Sequence, residues 1–117
     1  VARSSKPRWQ ALLAASAAVI ATPLAAHHSV SAWFDTTAMT EIEGVVTEFS
    51  WQNPHVVFTL RAGDELWEIE TLSISGISRW GITRDLVAVG DRLRVAGNPA
   101  RRASNNLFVR NILLPNG

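Results

Sequence analysis

"HVVFTLRAGDELWEIE", residues 55–70, alternates apolar and polar side chains on either side of a Gly-Asp turn, the pattern of an antiparallel hairpin. Val56, Phe58 and Leu60 share one face of its first strand; Trp67 and Ile69 share one face of its second. Both sets serve a common core only if opposed residues have numbers summing to 125 or 127. In the first register His55 faces Glu70 directly. In the second, Glu70 faces Val57 and is a diagonal neighbour of His55. Either way an imidazole and a carboxylate meet on the outer face, within about 4.5–8 Å between backbones.

The flanking segments extend this hairpin into a sheet. "EIEGVVTEFSW" (41–51) reads as a strand, with Val45, Thr47, Phe49 and Trp51 on one side and Gly44 as a bulge or bend. Gln52-Asn53-Pro54 is a turn, because Pro cannot donate to a central ladder. After residue 70 the period changes. "TLSISGISRWG" (71–81) offers Ser73 as an N-cap, Ile74 and Ile77 at helical spacing and Gly81 as a stop, which predicts a short helix over 73–80. A loop follows to the Val89-Gly90-Asp91 turn. "DRLRVAG" (91–97) and "LFVRNILL" (107–114) are the last strands, joined by the turn-rich "NPARRASNN".

Three strands, a helix and two strands is the element order of an OB-fold. The expectation is an all-β domain over 41–117, a five-stranded OB-like closed barrel ordered β1-β2-β3-α-β4-β5, with the helix plugging one end. Closure removes the exposed edges that a small open sheet would carry. An SH3-like barrel is the competing architecture, and it has no need of a helix at 73–80.

The first 26 residues read as a cleavable signal peptide. Arg3, Lys6 and Arg8 precede the apolar run "ALLAASAAVIA" (11–21), and Pro23-Leu24-Ala25-Ala26 forms the exit. That run is shorter than the roughly 20 residues a membrane span needs. The expected compartment is therefore the periplasm or the exterior, with no membrane span after cleavage. Three of the eleven basic residues leave with the leader, so eight remain against ten acidic ones, a formal charge of −2. This balance argues for no nucleic acid as a partner, since phosphate-backbone binding draws on clustered Lys and Arg. The chain has no cysteine, so the 91 residues that follow the leader are held by one core without disulfides. Residues 27–40, "HHSVSAWFDTTAMT", show no period and read as an extended arm that docks through Trp33 and Phe34.

The chain resembles an uncharacterised family of small exported bacterial proteins, OB-like in fold. The likeness rests on Ala26-His27-His28-Ser29 at the leader junction, Trp51 with Asn53-Pro54-His55, Trp80-Gly81 and Gly90-Asp91. It implies export and a β-barrel, and it carries no activity over.

All three histidines lie in two motifs, which come together if the arm folds back over the strand 1–2 turn. Cleavage after Ala26 makes His27 the terminal residue, so its α-amino group and imidazole can chelate one metal. His28, His55 and Glu70 are the candidates to complete the sphere. Nitrogen-rich tetragonal sets favour copper, and zinc is the other candidate. The plainer reading is a rim histidine bonded to a cross-strand glutamate. A further alternative is a non-catalytic module that binds a periplasmic protein or small ligand on its barrel face. Trp51 and Trp67 alternate with core residues and read as packing rather than as stacking platforms. No nucleophile elbow, phosphate loop or His-Glu-x-x-His helix occurs, so no residue is assigned a catalytic role.

Overall fold

A computed structural model describes residues 29–117. The signal peptide expected over 1–26, together with His27 and His28, lies outside the described residues. The elements run α1 (Val30–Trp33), β1 (Thr40–Ser50), β2 (Val57–Ala62), β3 (Glu65–Glu70), α2 (Ile74–Ser78), β4 (Arg92–Pro99) and β5 (Asn106–Leu113), with a 3-10 turn at Arg84–Leu86. The five strands close into a barrel in the spatial order β1-β2-β3-β5-β4, and β4 returns to pair with β1. All neighbours are antiparallel except β3 and β5, which run parallel. This is the OB-like barrel expected from the strand–helix order. Among the described residues no helix is long and apolar enough to cross a membrane.

The hairpin adopts the second of the two registers, with Val57 opposite Glu70, Phe58 opposite Ile69 and Leu60 opposite Trp67. Val56, Phe58, Leu60 and Ile69 are fully buried, and Trp67 packs against them from the barrel's margin. Gly63 closes the turn with a positive φ of 63°, a conformation that costs a side-chain-bearing residue energy. In β1 the expected inner face holds only in its second half. Ile42 and Val46 point inward, and a bulge between Val46 and Glu48 then shifts the parity so that Phe49 and Trp51 reach the core. Val45 and Thr47 therefore lie outside the buried set. Gly44 is not the bulge. It stands where a Cβ would come within 2.7 Å of the Arg61 carbonyl, so the close approach of β2 requires glycine there.

Helix α2 forms as its cap predicts, with the Ser73 side chain accepting from the Gly76 N–H at 3.2 Å. Its buried Ile77 joins Leu93, Val95, Leu107 and Val109 in the single core. The arm departs from the extended course expected of it. It makes one helical turn, then lays Phe34 as an isolated bridge against Ala100. Phe34 is buried and its ring meets Phe108 at 5.4 Å between centroids, whereas Trp33 stays 55% exposed.

Candidate functional site

The site is built where the β1–β2 connection, the β4–β5 connection and the arm converge. His55 ends the first of these loops. Its position is fixed by its neighbour: Val56 donates to the Leu72 carbonyl and accepts from both the backbone and the buried hydroxyl of Thr71. The Asn53 side chain holds the other side of the loop by accepting from the first N–H of α2 at 3.1 Å. The pleat of β3 sends Glu70 to the outer face, and its Oε1 meets His55 Nδ1. The side chains are 47% and 24% exposed respectively, so the pair sits at a rim. A carboxylate on Nδ1 fixes the ring's orientation and favours the tautomer whose Nε2 carries a lone pair. Nε2 has no partner among the described residues.

The arm crosses the same rim and is clamped to the β4–β5 loop. Asp35 N–H donates to the Pro99 carbonyl at 2.8 Å, and Arg101 N–H donates to the Trp33 carbonyl at 2.8 Å. The Arg101 guanidinium donates to the Ser31 carbonyl at 3.1 Å and pairs with Asp35 at 3.6 Å. Hydrogen bonds from the Thr37 hydroxyl and N–H to the Asp35 carboxylate, with Arg101 adding to them, hold that carboxyl below its ordinary range. Between arm and barrel lies a cavity of about 360 Å³. Val30, Trp33, Phe34, Ala100 and Ala103 form its apolar wall; His55, Glu70, Arg102 and Asn106 supply its polar groups.

Of the four residues singled out from the sequence, His55 and Glu70 are brought into contact, while His27 and His28 lie outside the described residues. Among the described residues no three His, Asp or Glu side chains converge on a point, so the pair alone does not make a metal centre. The sequence reading missed Arg101, Arg102 and Asn106, which were passed over as part of a turn-rich link. The OB topology itself holds the signal for them, because it sets the β4–β5 loop beside the β1–β2 loop. Asn106 Nδ2 donates to Glu68 at 2.8 Å, and its Oδ1 is buried without a donor among the described residues. A buried acceptor left so costs about 1–3 kcal/mol.

Comparison with solved structures places the barrel among OB-like proteins. The chain is similar to a chain of the Stn1-Ten1 complex of S. pombe at a TM-score of 0.53 and 11% identity, over 65% of this chain and 57% of that one. It thus spans little more than half the length of that chain. It is also similar to the mitochondrial single-stranded DNA binding protein Rim1 of S. cerevisiae in two crystal forms. The TM-scores are 0.50 and 0.51 and the identities 14% and 15%, over 66% of this chain and 92% and 91% of the other. At these identities the likeness shows the fold alone. It nevertheless overturns the expectation of no nucleic acid as a partner, since a barrel of similar fold is found in a single-stranded DNA binding protein, Rim1. Net charge was a poor ground for that exclusion because it averages over faces, and Arg101 and Arg102 stand together on one loop. No curated protein matches the chain. A family model described as a family of unknown function, DUF6152, matches residues 14–108, and the chain belongs to that family.

Proposed function

We propose that this member of DUF6152 is exported, is cut after Ala26, and binds copper or zinc between the histidines that open its arm and His55 on the barrel. One observation carries the reading: the arm seats Val30 and Trp33 on the cavity that His55 and Glu70 also line. Val30 follows His28 by two residues, which in extended chain span about 7 Å. Glu70 on Nδ1 prepares Nε2 of His55 as a ligand, in the manner of carboxylate–histidine–metal sites. An α-amino group and an imidazole on His27 would supply two further nitrogens, a donor set suited to Cu(II). The amine must shed its proton first, so affinity rises with pH through about 7.7–8.0.

The test is calorimetric titration of Cu(II) and Zn(II) into the chain beginning at His27. A single site is expected, weakened at least tenfold by His55→Ala and again by one extra residue placed before His27. Equal affinity in all three proteins contradicts the proposal.

A second reading is favoured by where the cavity lies. The β1–β2 and β4–β5 loops of OB barrels are where oligonucleotides and oligosaccharides bind, and here the second loop brings Arg101 and Arg102. Single-stranded DNA labelled for anisotropy distinguishes it. Binding that weakens with salt and is lost in Arg102→Ala favours this reading; no binding at low salt removes it.

A further inference from the structure

We infer that the cavity beneath the arm is a binding site for a small organic monocarboxylate with an aromatic or branched aliphatic body. The inference rests on the cavity and not on the metal reading. At about 360 Å³ the space is at the lower end of the range of small-molecule sites, about 300–1,000 Å³. Its wall is apolar over Val30, Trp33, Phe34, Ala100 and Ala103, with polar groups at a few points only, the usual make-up of a site that buries a ligand's body and orients its head.

The charges at the lining select the head group. Glu70 is engaged by His55, and Glu68, behind Asn106, accepts from its amide. On the neighbouring loop position Arg101 is matched by Asp35. Arg102 alone lines the cavity without a carboxylate or carbonyl partner among the described residues. A guanidinium in that state fits a carboxylate as a two-pronged donor. One unmatched cation answers one negative charge. A phosphate dianion would add a second charge beside Glu70.

The probe is phenylacetate, titrated into the full chain in buffer held metal-free by a chelator and followed by amide chemical shifts. Its neutral relative phenylacetamide is the control. Saturable shifts are expected around Val30, Phe34, Ala100 and Ala103, with the amide binding at least tenfold more weakly. Arg102→Gln should remove that preference while leaving the spectrum folded, and Ala103→Trp, which fills the space, should abolish both. The inference is overturned by equal binding of acid and amide, by shifts centred elsewhere, or by no saturation at millimolar probe. Because no metal is present, failure here leaves the copper and zinc titrations untouched, and the reverse holds as well.

Discussion

At the residue scale the decisive contact is Glu70 on His55 Nδ1. It is a rim pair, so its worth to folding is small, at most about 1 kcal/mol. Its consequence is orientation. Glu70→Gln keeps an acceptor but loses the charge, and metal affinity is expected to fall about 10–100-fold while the thermal midpoint stays nearly constant. Calorimetry and a melting curve on the same sample check both halves. Asp35 gives a second prediction. Its folded carboxyl titrates below the ordinary value because Thr37 and then Arg101 favour the charged form. The stabilisation is therefore full above the ordinary carboxylate range and is lost as pH falls through the lowered value. The Thr37 amide shift should report a midpoint below about 3.9, and Asp35→Asn should flatten the curve. A midpoint at the ordinary value would show that the Thr37 cap does not form in solution.

Elements, not single residues, bring the site together. The arm is held by one buried ring and a few hydrogen bonds to the end of β4 and the loop after it, so its docking is separable from the rest of the barrel. Phe34→Ala removes the contact with Phe108 and is expected to cost about 3 kcal/mol. The amides of Asp35 and Arg101 should then lose exchange protection, because their acceptors are Pro99 and Trp33 across the arm–loop seam. Protection in β2 and β3 should persist. If those strands lose protection together with the arm, the arm is part of one cooperative unit and does not undock separately.

For the whole molecule, the hairpin at 55–70 was legible because a period of two, a Gly-Asp turn and the His55–Glu70 pair at the open end all agree. The barrel followed from element order. Helix α2 was legible through Ser73, even though Gly76 and the two serines within it weaken its propensity. The bulge in β1 was not legible: parity changes at Thr47, past the stretch Thr40–Val45 that pairs with β4 and within the stretch that pairs with β2, and no local pattern expresses pairing with two different strands. The arm's turn at Val30–Trp33 was missed for a similar reason, since four residues carry too little periodicity to announce a helix. Half of the candidate site could be read from the sequence. His55 and Glu70 follow from hairpin register, but Arg102 and Asn106 become neighbours only when the barrel closes through the parallel β3–β5 pairing. A metal held between arm and barrel binds the folded form alone, so it should raise the melting temperature of the His27 form. At a hundredfold excess over Kd the stabilisation is about 2.7 kcal/mol, on the order of 10 °C for a domain of this size.

The most direct measurement is anomalous diffraction at the zinc edge from crystals of the chain that begins at His27, grown with Zn(II). A single zinc is expected, bonded at about 2.0–2.1 Å to Nε2 of His55 and to at least one nitrogen of His27 or His28. Zinc held by the arm histidines alone, with His55 still paired to Glu70 and out of bonding range, would contradict the account.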